Sequence, residues 1–113
     1  MTRFAILTLF AFALSACSRG TPVVFDNQSD HQLEAVEISG RGFKASLGTV
    51  APEKSLRSQV YPSGESGLAV SFTANGQDFS FKPQDYFEGG GSYKVSVTVR
   101  EDLSVIVHSD IRP

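Results

Sequence analysis

The chain has 113 residues, with 10 Lys and Arg against 12 Asp and Glu, and so a formal net charge of −2. This length is enough for one domain and too short for two. The mild acidity argues against a nucleic-acid partner, because such partners are bound by a basic face. A single cysteine excludes an internal disulfide, so the domain depends on hydrophobic burial for its stability.

The first segment of the chain combines a basic start with an uncharged apolar run. Arg3 precedes residues 4–14, which contain no charged side chain. Such a run is typical of the apolar core of a secretory signal. As a helix it would rise about 16 Å, roughly half the hydrocarbon thickness of a bilayer, and is therefore too short to span one.

Leu14-Ser15-Ala16-Cys17 closes that run. It resembles the lipobox of bacterial lipoprotein precursors, which has a Leu, two small residues and an obligatory Cys. The resemblance implies cleavage between Ala16 and Cys17, a diacylglyceryl group on the Cys17 thiol and usually an acyl chain on the new amine. In Gram-negative lipoproteins, an Asp directly after the Cys retains the protein in the inner membrane. Ser18 stands at this position, so the resemblance implies sorting to the outer membrane. The resemblance covers residues 1–17, and the alternative is an ordinary secreted protein cleaved after Ala16.

These features predict three parts of the chain. Residues 1–16 form a signal peptide, residues 17–22 a lipidated N-terminus with a short linker, and residues 23–113 a folded domain. The polar linker ends at Pro22 and spans at most about 18 Å. We therefore expect a domain that is held close to the outer membrane and faces the periplasm.

Short apolar segments alternate with turn residues along the rest of the chain. No segment has a convincing helical pattern, and the strand at residues 55–61 is expected at a sheet edge. The predicted strands cover residues 23–25, 33–39, 43–50, 55–61, 68–74, 77–81 and 93–99, with a last strand through Val105 and Val107. This pattern predicts an all-β fold, a small antiparallel β-sandwich of about eight short strands. It is either immunoglobulin-like or transthyretin-like, with a small barrel as the next alternative.

Three turns fix the expected registers. Asn75-Gly76 favours a type I′ turn, in which both central residues have positive φ. The other two turns are centred on Gly40-Arg41 and on residues 101–102. The predicted cross-strand pairs are Phe72–Phe79 and Val70–Phe81, Ile38–Phe43 and Glu37–Lys44, and Val99–Val105 and Val97–Val107.

The residue types that catalysis or metal binding requires form no recognisable motif. His31 and His108 are far apart in sequence and lack metal-ligand spacing. Cys17 is expected to be consumed by lipid, and no nucleophile elbow occurs. We therefore predict no catalytic residue, no metal and no cofactor other than the covalent lipid.

Residues 83–92 form the longest irregular stretch that the sequence predicts. Their aromatic side chains either pack beneath the loop as part of the core, the favoured alternative, or face an envelope protein partner. The candidate partner-binding residues are Tyr86, Phe87, Glu88, Gly89, Gly90 and Gly91.

The sequence thus predicts a lipid-anchored envelope lipoprotein with a non-catalytic binding or structural role. Its expected partners are the membrane, through the lipid, and an envelope protein. One alternative is a small envelope hydrolase, which would require Asp78, Asp85 and Glu88 to meet in the fold. The other is an inhibitor that inserts residues 83–92 into an envelope-degrading enzyme.

Overall fold

Strands account for nearly all of the secondary structure. The computed structural model describes residues 20–112. No helix occurs in this part of the chain, so the predicted all-β fold of about eight strands is confirmed. The strands are β1 Thr21–Asn27, β2 Leu33–Gly40, β3 Phe43–Val50, β4 Ser55–Val60, β5 Glu65–Ala74, β6 Gln77–Glu88, β7 Tyr93–Val99 and β8 Val105–Ile111.

The strands form two four-stranded sheets with the core between them. One sheet has the order β4-β1-β7-β8 and the other has the order β3-β2-β5-β6. Every pair is antiparallel except β1 with β7, which is parallel. An immunoglobulin sandwich pairs its first two strands in one sheet, whereas β1 and β2 lie in different sheets here. Of the two predicted types of sandwich, the strand order therefore excludes the immunoglobulin-like one and agrees with the transthyretin-like one.

Successive strands run in opposite directions, so each connection lies at one of two ends of the sandwich. The end that we call the terminal end contains Gly20, residues 41–42, 61–64 and 89–92, and Arg112. The opposite end, called the distal end, contains residues 28–32, 51–54, 75–76 and 100–104. The described chain therefore both begins and ends at the terminal end.

The core is built from side chains at alternate positions of the strands, which point inward between the two sheets. In β1, and in β7 from Val95 onward, each second side chain is buried, as the alternating sequence of these strands predicts. A fully buried apolar side chain stabilises a fold by about 1.5–3 kcal/mol, so a core of this size needs no disulfide. The largest fully buried residues are Phe25, Phe87, Leu33, Ile38, Leu68, Val23, Val36, Val50, Val70, Val95, Val97 and Val99.

The β5–β6 hairpin has the predicted turn and register. Asn75 and Gly76 have φ values of 53° and 73°, so both central residues are left-handed. Phe72 pairs with Phe79 and Val70 with Phe81. The Phe72 and Phe79 rings stack with centroids 5.2 Å apart, which places them on the same apolar face.

The β7–β8 hairpin also has the predicted register, with Val97 opposite Val107 and Val99 opposite Val105. Its connection spans residues 100–104 and has the odd length that this register requires. Leu103 is 9% exposed with φ 68°, so the connection contributes an apolar side chain to the distal end of the core.

The predicted register of the β2–β3 hairpin is wrong by two residues. Ile38 pairs with Ala45, and Gly40 pairs with Phe43. The turn is formed by Arg41-Gly42, because Gly42 has the positive φ of 83°. A slip of two residues keeps each side chain on its expected face, so Ile38 still points into the core. Bulges follow within this pair, where the register shifts between Leu33 and residue 37.

The first strand begins earlier than the sequence predicts. β1 starts at Thr21, so Thr21 and Pro22 belong to the strand and not to the linker. At Pro22 the strand pairs with β4 only, because the β7 ladder begins at Val23, and the missing N–H is tolerated there. The predicted edge strand is confirmed as β4, which ends one residue early, at Val60.

Candidate functional site

The predicted lipidation and cleavage sites lie outside the described residues. These are Cys17 and Ala16, together with the predicted signal peptide over residues 1–16. The folded domain starts at Thr21, so residues 18–20 alone separate it from Cys17. Within residues 20–112, no helix has the length and apolar character needed to cross a bilayer.

The candidate binding loop is for the most part a strand, and this prediction is corrected. Tyr86, Phe87 and Glu88 belong to β6, which runs from Gln77 to Glu88. Phe87 is fully buried and its ring lies 6.2 Å from that of Phe43, so it belongs to the core. A bulge hid this strand in the sequence, because the register of β5 with β6 shifts between Ser66 and Val70 and breaks the alternation.

The three glycines of the candidate loop form a short connection that is held against the domain. Gly90 and Gly91 have φ values of 102° and 89°. The Arg112 guanidinium donates to the carbonyl oxygen of Gly91, and the Arg112 N–H donates to that of Ser92 at 2.7 Å. A Cβ on Gly89 would lie 2.7 Å from the Pro62 carbonyl oxygen, so only glycine allows this close approach. These three glycines therefore have a structural reason to be glycine, either a positive φ or a close backbone contact.

Tyr86 is the exposed aromatic residue of the candidate set. Its side chain is 43% exposed, and its ring meets that of Tyr93 edge to face with centroids 6.2 Å apart. The Tyr86 hydroxyl donates a hydrogen bond to the Glu88 carboxylate. This bond is the main cause that raises the pKa of Tyr86 to about 12.

Side chains of β6 close the free edge of β8. The Gln84 amide donates to the carbonyl oxygen of Val105 and accepts from the N–H of Val107, both at 3.4 Å. The Asp85 carboxylate accepts from the N–H of Ser109 at 2.7 Å. These bonds occupy backbone groups that a sheet edge would otherwise offer to another chain. The β8 edge is therefore blocked.

Two other edge strands are interrupted. β3 contains Gly48 with φ 75°, next to the register shifts of its pairing with β2. β6 contains Pro83, which has no N–H, and Asp85, whose φ is 63°. Bulges, proline and left-handed residues all disfavour the addition of a further strand.

β4 is the edge strand without such an interruption. It pairs with β1 in one unbroken register from Thr21–Val60 to Asp26–Ser55. Its residues have no positive φ, and within residues 20–112 no side chain hydrogen-bonds the backbone of β4. The backbone of β4 therefore forms the best candidate site for an extended partner segment.

The three carboxylates of the hydrolase alternative have separate hydrogen-bond partners. Asp78 lies near the distal end and accepts a hydrogen bond from the Thr73 hydroxyl at 2.9 Å. A strand rise of about 3.3 Å per residue separates Asp78 from Asp85 by roughly 20 Å. Asp85 is bound to the β8 backbone, and Glu88 is bound to Tyr86. None of the three is paired with another carboxylate for acid–base chemistry.

The histidines each have a polar neighbour. A ring nitrogen of His31 lies 3.1 Å from the Asn75 amide nitrogen, and His108 lies 3.0 Å from the Asp110 carboxylate. Among residues 20–112, no three His, Cys, Asp or Glu side chains lie close enough together to hold a metal ion.

An open depression at the terminal end lies beside the β2–β3 turn. It is lined by Arg41, Glu65 and Ser66, among others. The Ser66 hydroxyl already accepts from the Arg41 N–H at 2.9 Å and donates to the Gly67 carbonyl oxygen at 2.7 Å. The most buried polar group of the depression, the Ser66 hydroxyl, thus has hydrogen-bond partners within the domain.

Comparison with known proteins finds a similar fold in one solved structure. No protein-family model and no curated protein matches the chain. Among solved structures it is similar to the NMR structure of a protein from Eubacterium rectale, with a TM-score of 0.52 and 17% sequence identity. The match covers 79% of this chain and 86% of that chain. At this level of identity the similarity shows a shared fold alone.

Proposed function

We propose that this chain is a lipid-anchored lipoprotein of the bacterial envelope that binds a partner without catalysis. The lipobox at residues 14–17 supports the anchor. The start of β1 at Thr21 supports a domain that is held directly at the membrane surface. One lipid chain anchors a protein only marginally, whereas the two or three chains of a lipoprotein hold it firmly.

The anchor is tested by its chemistry. We predict that the wild-type protein partitions into the detergent phase when cell envelopes are solubilised and warmed. Cys17→Ser removes the thiol that would carry the lipid, so this variant should remain in the aqueous phase or accumulate as uncleaved precursor. Ser18→Ala is the matched control and should partition as the wild type does. Equal partitioning of the wild type and of a Cys17→Ser protein that has been cleaved to its mature length would contradict a lipid on Cys17.

The observation that carries the binding role is the contrast between the two edges of one sheet. β4 offers a regular unpaired edge, whereas β8 is closed by Gln84 and Asp85. An extended segment of an envelope protein would add to β4 through main-chain hydrogen bonds. Arg57 and Gln59, which are exposed on the outer face of β4, would meet its side chains.

The two edges allow a matched experiment. One row of paired residues crosses the sheet, from Arg57 of β4 through Val24 of β1 and Ser96 of β7 to His108 of β8. Arg57 and His108 are both exposed, so a photo-crosslinking amino acid at either position probes the same level on opposite edges. We predict a covalent adduct with an envelope protein from position 57 and none from position 108.

Three crosslinking outcomes would contradict the proposal. Equal adducts at both positions, an adduct at position 108 alone, or none at either would remove β4 as the binding edge. Circular dichroism of each variant establishes that the sandwich has folded before its adducts are compared.

A further inference from the structure

Large hydrophobic side chains are exposed at the end of the sandwich where the chain enters it. Tyr61 is 54% exposed, Tyr86 43% and Ile111 71%, and all three lie at the terminal end. We call these three residues the terminal apolar patch. Among residues 20–112 the remaining large hydrophobic side chain with such exposure is Ile106, which lies near the start of β8, toward the distal end. The exposed apolar surface is therefore concentrated on one end.

Strand pairing places this patch beside the first described residue. Tyr61 follows Val60, which pairs with Thr21, and a Cβ on Gly20 would lie 3.0 Å from the Tyr61 ring. The chain thus enters the sandwich in contact with Tyr61.

The parallel strand β7 brings the other two residues to the same level. Val95 pairs with Val23 of β1, and Tyr93 of β7 pairs with Ile111. The Tyr86 ring packs against Tyr93. The terminal apolar patch therefore lies at the end of the domain where the described chain begins, at Gly20.

The charges of the connecting segments differ between the two ends. At the terminal end, Gly20, Arg112 and the three connections carry Arg41 and Arg112 and no carboxylate. The strand ends beside these connections carry three acidic residues, Glu65, Glu88 and Asp110, and two basic ones, Lys44 and Lys94. The distal connections carry two basic and four acidic side chains, namely Lys54, Arg100, Asp30, Glu53, Glu101 and Asp102. An anionic surface therefore favours the terminal end over the distal one.

The length of the tether limits how far this end can lie from the lipid. Cys17 to Gly20 spans at most about 11 Å when fully extended. The polar layer of one leaflet is roughly 5–8 Å thick. Tyrosine is enriched at this layer, since its ring is apolar and its hydroxyl is polar.

We propose that the terminal end docks on the bilayer that holds the lipid anchor, with Tyr61, Tyr86 and Ile111 at the headgroup level. This inference rests on the proposed lipid on Cys17. It goes beyond that anchor because it fixes which end of the sandwich faces the membrane. The β4 edge then runs away from the membrane, and the acidic distal connections point toward the periplasm.

The absence of tryptophan from the chain makes the docking measurable. Ile111→Trp and Tyr61→Trp each introduce a single reporter into the terminal apolar patch, and Ile106→Trp introduces one on the same strand as Ile111 but outside the patch. The lipidated proteins are reconstituted into vesicles of phosphatidylethanolamine and phosphatidylglycerol that contain a lipid brominated near the top of its acyl chains. We predict that the emission of Ile111→Trp and of Tyr61→Trp shifts to the blue and loses roughly half its intensity to quenching. The emission of Ile106→Trp should stay unchanged.

The outcomes separate the docking from the anchor. Unquenched emission from both patch variants, in protein that still partitions into detergent, would overturn the docking and leave the anchor intact. A blue shift without quenching would mean that protein, such as a second copy of the chain, covers the patch, and it would overturn the docking too. Loss of detergent partitioning in the wild type would instead remove the anchor itself.

Discussion

At the scale of single residues, the buried Asn27 side chain holds the distal end together. Its amide group donates to the carbonyl oxygens of His31 at 2.8 Å, Val50 at 3.2 Å and Ala51 at 3.1 Å. Its oxygen accepts from the N–H of Ser29 at 3.0 Å and from the Ser29 hydroxyl at 2.7 Å. One side chain thus satisfies buried backbone groups of two connections that would otherwise lose hydrogen bonds on folding.

We predict that Asn27→Ala lowers the free energy of unfolding by about 3 kcal/mol, because it leaves several buried polar groups without partners. Gln28→Ala is the control, since the Gln28 amide is exposed and bonds the neighbouring Asp26 carboxylate. That change should stay within about 0.5 kcal/mol of wild type. Urea unfolding measures both, and equal stability of the two variants would contradict the assigned role of Asn27.

The Tyr86–Glu88 hydrogen bond predicts a specific dependence on pH. The pKa of Tyr86 is raised to about 12, so above pH 10 the folded chain binds this proton more tightly than the unfolded chain does. The stabilisation is therefore complete below pH 10 and is lost as the pH rises toward 12. Ultraviolet titration of the three tyrosines should show a phenol that ionises near pH 12. In Glu88→Gln that step should move toward pH 10, and an unchanged step would contradict the Glu88 carboxylate as the cause of the raised pKa.

At the scale of elements, the hairpins whose registers the sequence predicts correctly are those with a local signal. In β5–β6 the turn requires two left-handed residues, and Asn75-Gly76 supplies both. The alternation of the flanking strands then agrees with the turn. Two independent patterns agree on one register, so no distant contact is needed to choose it.

We predict that Gly76→Val destabilises the domain by about 1–2 kcal/mol, because it forces a β-branched side chain into positive φ. Gly76→Asn should cost less, since asparagine tolerates that conformation. No other heavy atom lies near the position of a Cβ at Gly76, so the difference reports backbone strain alone. Thermal unfolding of the two variants tests this, and equal melting temperatures would contradict it.

The elements that the sequence predicts wrongly depend on distant contacts. In β2–β3, glycines on both sides of Arg41 can supply a turn, and packing decides between them. Gly40 ends strand β2, where a Cβ would collide with the Phe43 ring and the Ser66 hydroxyl, and Gly42 has the positive φ of the turn. In β6, Gln84 and Asp85 bind the backbone of β8, a contact that no local pattern reveals.

At the scale of the whole molecule, the parallel pairing of β1 with β7 determines the candidate membrane surface. The resemblance of residues 14–17 to a lipobox is visible in the sequence directly, whereas Tyr61, Tyr86 and Ile111 are far apart in it. They share one end because β1 pairs with both β4 and β7. The sequence therefore predicts a location close to the membrane, but it does not predict the face that meets the membrane.

The most direct test of the lipid anchor is the intact mass of the mature protein extracted from bacterial membranes. We predict a chain that begins at Cys17 and exceeds its polypeptide mass by a diacylglyceryl group and an amide-linked acyl chain. A mature chain with an unmodified Cys17, or one that begins at another residue, would contradict the proposed attachment of the domain to the envelope.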